Sequence, residues 1–240
     1  MRKIRGIGLI GTTIQKLVNL VEKSLLDLNS SSSQDFIEST AILLHEGMSG
    51  QNRRFHTTDH VFNIVDPKGD PILVLSALFH DLVYYNVDGI FTARVQEILN
   101  PYIAIELEQV FIRRRGPPND NLLPLVMNIF GFNYGQILTP FLGMNEFLSA
   151  LVFARLFHDK LDIKSLVGVI SCIEGSQPFR KPNDDGKTCF VLLEERLNKL
   201  SRTRGLGFSE TEIIEIVKKS VKFANLDVSN FASTDTAELS

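Results

Sequence analysis

Four side chains in this sequence have the types and spacing to hold a metal ion: His56 and His60 in FHTTDH, then His80 and Asp81 in ALFHDLVYY. His56 and His60 stand at i and i+4, a spacing that on a helix projects two imidazoles from one face, one turn apart. His80–Asp81 sets an imidazole beside a carboxylate at the end of an apolar run, Ile72 to Phe79, that reads as a buried helix. A mixed nitrogen and oxygen set on rigid helices suits a divalent cation such as Mn2+, Fe2+, Mg2+ or Zn2+. A second His–Asp dipeptide, His158–Asp159, has no His-x-x-x-His one helix upstream and reads as a helix end. His45, beside Glu46 and Gly47, reads the same way.

Such residues need helices to hold them, and helical periodicity dominates the chain. Ile14, Leu17, Val18, Val21, Leu25 and Leu28 form an amphipathic stripe that ends at the serine run Ser30–Ser33. Phe36, Ile42, Leu43 and Leu44 continue a second helix toward His45. A third is predicted over His56–Val65, stopped by the turn composition Asp66-Pro67-Lys68-Gly69. Pro71 sits well as a first-turn residue for the helix that ends in the His–Asp pair. Phe91 to Ile112 is predicted as helix, broken or kinked at Pro101, and Arg115-Gly116-Pro117-Pro118-Asn119 is the strongest punctuation.

Apolar runs follow at Leu122–Phe130, Asn145–Phe157 and Leu166–Ile173, and Ser176–Gly186 reads as a loop. Phe190–Leu200 and Ser209–Ala224 read as helices, the latter opening on Ser209-x-x-Glu212, a capping box. Strand signals are few, and no repeat of solenoid length appears. The expectation is an all-α protein: one helical bundle over 1–232 and a frayed, disordered tail over 233–240.

Composition bounds the function classes. A chain of 240 residues fits one large domain with a sizeable core, and 44% apolar with 22% charged residues is ordinary for a folded soluble protein. A net charge of −3 gives no reason to expect nucleic acid or an anionic membrane as a partner. Glycines at 6, 8 and 11 interrupt any secretory apolar region, and no stretch approaches a transmembrane helix. Cys172 and Cys189 form neither a metal spacing nor a disulfide framework, so a reduced, cytoplasmic setting is expected. The oligomeric state is not readable.

These motifs resemble the HD superfamily of metal-dependent phosphohydrolases, which also includes the cyclic-nucleotide phosphodiesterases. The family pattern is His … His-Asp … Asp on a helical bundle. The matching residues are His60, His80, Asp81 and, far downstream, Asp227 in KFANLDVSN, a segment similar to the family's closing motif, where a helix ends in a metal-binding Asp. The phosphodiesterase branch has an aromatic-His-Asn-x-x-His segment, and Phe55-His56-Thr57-Thr58-Asp59-His60 keeps both histidines at that spacing. The resemblance runs from about Phe55 to Asn230. It implies that His60, His80, Asp81 and Asp227 hold one or two divalent ions, with Asp81 bridging if two bind. It also implies that His56 is the general acid for the leaving oxygen. The implied substrate is a small phosphate ester, that of a nucleotide or cyclic nucleotide, cleaved by metal-activated water.

Two departures bear on the branch. Thr57 stands where the phosphodiesterase branch has Asn, and Tyr84 stands where it has a further histidine. Both point toward a divergent bacterial-type HD hydrolase. Ile173 to Arg180 is similar to a motif of uncharacterised proteins in the same group. Glu174 there could orient a metal-associated water or simply be a helix-terminal charge. The run Arg113-Arg114-Arg115 could pair with substrate phosphate or be a solvated basic helix end, and Arg180 and Lys181 share those two readings. Tyr84 and Phe179 could stack on a base, although aromatic residues in a chain with 17 Phe are more often core. Two alternatives stand beside the hydrolase. One is a di-iron oxygenase of the same superfamily, for which His158 or His56 would have to serve a second iron; the other is an inactive HD module kept for binding or signalling.

Overall fold

Local chemistry sets where the helices of this protein begin. A computed structural model describes residues 11–50, 53, 56–177 and 180–234. Helix α1 (Thr13–Asp27) opens on a reciprocal capping box between Thr12 and Gln15 and buries Leu17, Val21 and Leu25 of the expected stripe together with Leu20, while Ile14 is exposed. Helix α2 (Gln34–Met48) is capped by Ser33, the last residue of the serine run, whose side chain accepts from the Phe36 N–H. After the short α3 (Thr58–Ile64), Asp70 caps α4 (Pro71–Phe79) and Pro71 takes the first-turn position. Every residue of α4 from Ile72 to Phe79 is buried, so this helix is core on all sides.

Two short helices, α5 (Tyr85–Asp88) and α6 (Ala93–Leu99), lead into an antiparallel hairpin of β1 (Ile103–Glu106) and β2 (Gln109–Ile112). A third strand, β3 (Ile137–Leu138), pairs with β2 after helix α7 (Leu122–Phe130). The chain ends in four longer helices: α8 (Met144–Phe157), α9 (Ile163–Gly175), α10 (Cys189–Arg204) and α11 (Glu210–Thr234). Helix α4 packs against α1, α3, α8, α9 and α11, and α9 against α4, α7, α8, α10 and α11, so these two form the centre of the bundle. Phe79, Phe153 and Phe157 meet there with ring centroids 4.8–5.4 Å apart. Gly175 lets α9 approach α11 closely: a Cβ at that position would lie 3.1 Å from the Ser220 Cβ. The all-α expectation stands, with one small sheet added. No helix among the described residues is long and apolar enough to cross a membrane.

Four local expectations need correction. The predicted helix over Phe91–Ile112 is helical only at α6, because Ile103, Val110 and Ile112 bury one face of a hairpin instead. Arg113–Arg115 therefore follow a strand rather than a helix; all three are exposed, and Arg113 Nε donates to the Asn100 carbonyl. Helix α3 starts at Thr58, so His56 precedes it with a left-handed φ of 53°. Helix α11 continues to Thr234, which places Asp227 in its body and makes residues 233–234 helical; 235–240 lie outside the described residues.

Candidate metal centre

His80 is the C-cap of α4, and Asp81 follows it directly. His60 projects from the first turn of α3, and Asp227 comes in on α11, which packs against both α3 and α4. All four are buried. His60 Nε2 lies 3.0 Å from Asp227 Oδ1 and 3.7 Å from Asp81 Oδ2. His80 Nε2 lies 2.9 Å from Asp81 Oδ2 and 3.4 Å from Asp227 Oδ1. His56, although outside the helix, still reaches the group, with Nδ1 2.7 Å from Asp81 Oδ2. The donor atoms form two overlapping sets, His56/His60/Asp81 and His60/His80/Asp227, each within 4.8 Å, and His60 belongs to both.

The orientation of His80 is the informative detail. Its Nδ1 lies 3.0 Å from the Ala77 carbonyl, an acceptor, so Nδ1 carries a proton and donates it. Nε2 then points at two carboxylate oxygens, close in distance yet without a hydrogen-bond partner of good alignment. A lone pair facing two carboxylates needs a positive charge between them. A second ring proton or a cation can supply it.

Without a cation the ring takes the proton. Burial alone would lower the His80 imidazole, but the Asp81 and Asp227 charges hold it well above its ordinary value. Burial would likewise raise Asp81, yet His80 and the hydrogen bond from His56 hold it well below the usual carboxylate range. Asp227 is buried too, and His80 and His60 bring it down to about 2. Two imidazoles and two carboxylates carried on or next to α3, α4 and α11, with the His80 Nε2 left without a hydrogen-bond partner, fit a divalent cation.

The other expected site residues belong to neither donor set. Tyr84 packs its ring against His56, centroids 4.5 Å apart, and so buttresses that imidazole. Glu174 is fully buried at the end of α9, where its Oε1 accepts from Arg180 Nη1 at 2.5 Å and Arg196 Nη2 at 2.6 Å. Its contacts among the described residues are thus with guanidinium groups, and Arg180 is committed to the same pair. His158 is exposed at the end of α8, with Nδ1 3.1 Å from the Arg155 carbonyl, and belongs to neither donor set. His45 ends α2 as expected. Phe55, Pro178 and Phe179 lie outside the described residues.

Two nearby residues stand in no motif. Glu146, in the first turn of α8, has a buried Oε2 with no hydrogen-bond partner. Burial, reinforced by the Asp81 charge, raises its carboxyl to about 7. Arg53 is buried behind His56 and Asp81 and donates to the backbone carbonyl of each. Neither could be found by spacing, because Glu146 comes from a distant helix and Arg53 sits in a stretch with a second arginine, a composition that reads as solvent-facing. No family model, curated protein or solved structure matches this chain.

Proposed function

We propose that this protein is an HD-type phosphohydrolase that cleaves a small phosphate ester, that of a nucleotide, at a divalent metal centre. The reading rests first on His80, whose Nε2 faces Asp81 and Asp227 while Nδ1 is tied to a backbone carbonyl. His60, His80, Asp81 and Asp227 would hold one or two ions. Bound there, a divalent cation supplies Lewis acidity toward the phosphoryl oxygens and a water of lowered pKa.

The remaining work falls to the chain's own groups. His56 donates from Nδ1 to Asp81 Oδ2, which fixes the ring, and in this reading it is the general acid that hands a proton to the leaving oxygen. Its side chain is 22% exposed against 10% for Asp81, so it sits on the rim where a substrate arrives. Tyr84 limits the rotation of that ring.

The test is elemental analysis of protein purified without added metal, then a nucleotide and phosphoester panel with Mn2+, Co2+ and Fe2+. Asp81→Ala should lose both metal and turnover while its helical circular dichroism persists. Undiminished turnover in that variant would remove the proposal.

A further inference from the structure

Arg53 is an arginine whose every nitrogen is engaged, with its side chain only 1% exposed. Nε lies 3.1 Å from both carboxylate oxygens of Asp88, and Nη2 lies 2.6 Å from Asp88 Oδ2. Nη1 donates to the carbonyls of His56 at 3.3 Å and Asp81 at 2.8 Å, and Nη2 to the carbonyl of Leu82 at 3.2 Å. One planar fork therefore ties together a carboxylate on α5 and two backbone segments that approach from different parts of the chain.

The two segments are those that carry His56 and Asp81, whose side chains meet at 2.7 Å. His56 is held with φ at 53°, a left-handed conformation that is unfavourable for a residue with a Cβ. The Arg53 hydrogen bond to the His56 carbonyl helps to hold it there. Gly50 adds an independent sign that the chain is fitted around this pair. A Cβ there would lie 2.7 Å from Asp88 Oδ1 and 3.5 Å from Arg53 Cγ.

We propose that Arg53, anchored on Asp88, is the positioning residue that holds His56 in its left-handed conformation with its imidazole against the Asp81 carboxylate. With its nitrogens engaged by Asp88 and by backbone carbonyls, Arg53 acts through the two residues whose backbones it grips. Lysine cannot replace it, because a single ammonium cannot serve Asp88 and three carbonyls in one plane. The consequence for turnover rests on the hydrolase reading, whereas the positional claim does not.

The test begins with the chelator-treated full chain and needs no substrate. Long-range proton–nitrogen NMR of the imidazoles is compared in wild type, Arg53→Lys and the double variant Arg53→Met/Asp88→Asn, which removes both charges of the buried pair and guards against misfolding of a single change. The His56 Nδ1 signal, assigned with His56→Gln, should move in both variants toward that of the exposed His158, whose own signals stay fixed. His56 signals unchanged in the folded variants would overturn the inference. With any phosphoester that the wild type hydrolyses, Arg53→Lys should lower kcat by about 100-fold with little change in KM, as expected for a small misplacement of a reacting group. In a His56→Ala background the same change should cost at most a few-fold, and a fully additive loss would count against it. A wild type that hydrolyses no phosphoester removes the functional reading, while the imidazole signals still decide whether Arg53 positions His56.

Discussion

Which imidazole nitrogen is already occupied decides what a histidine can do. At His80 the Ala77 carbonyl takes Nδ1–H, and the remaining lone pair has nowhere neutral to go. Glu146 poses the opposite problem: a carboxylate with a buried, unpartnered oxygen that feels the charge of Asp81. Its carboxyl is raised from an ordinary 4.5 to about 7, so the folded chain keeps this proton where the unfolded chain has lost it. That contribution to stability is complete below pH 4.5 and is lost as pH rises toward 7. Glu146→Gln should therefore stabilise chelator-treated protein at pH 8 by up to about 3 kcal/mol and do little at pH 4.5, as read by urea unfolding. Equal effects at both pH values would show that the carboxyl is not buried as described. The histidines and Asp81 were legible because their spacing is a local property of the sequence. Arg53 and Glu146 were not, since what gives them meaning is the company of residues distant in the chain.

The elements show the same division. Helices with one apolar stripe or strong caps are readable from the sequence: α1 falls where the periodicity puts it, and Ser209 and Glu212 make the reciprocal capping contacts at the start of α11. The hairpin was not readable, because β2 finds its second partner only in β3, on the far side of α7. Its turn also lacks the usual signal. Leu107 and Glu108 occupy the two central positions with φ of 48° and 62°, where Asn-Gly is the common choice. Leu107 is 96% exposed and so gains nothing from burial there. Leu107→Asn and Glu108→Gly should each stabilise the protein by about 1 kcal/mol, which in a chain of this size raises Tm by about 2–4 °C. An unchanged or lowered Tm would mean that this turn is held by contacts other than its own backbone preference. Asp227 marks a third kind of difference: its spacing was legible, yet α11 runs on past it, so the residue lies in a helix body rather than at an end.

For the whole molecule, the centre ties α3, α4 and α11 together through side chains that would otherwise bring unfavourable charge into the core. A cation that binds only the folded chain stabilises it by mass action, by about 4 kcal/mol at a free concentration a thousandfold above Kd. Taken with about 2–4 °C per kcal/mol for a chain of this length, a saturating metal should raise Tm by about 8–16 °C. Differential scanning fluorimetry with Mn2+, Co2+, Fe2+ and Zn2+ against EDTA reads this directly, and Asp227→Ala should abolish the shift. A shift that persists in Asp227→Ala would place the ion elsewhere.

The position of Asp227 on α11 also governs when the centre can be assembled. Helix α11 is the last element in chain order, so His60, His80 and Asp81 leave the ribosome well before Asp227 does. At that stage the ligand set lacks its second carboxylate, and the helix that braces α3 against α4 has not been made. An ion that needs all four ligands would then be the last component to be installed, and a ribosome-bound chain stalled short of residue 227 should fail to retain one.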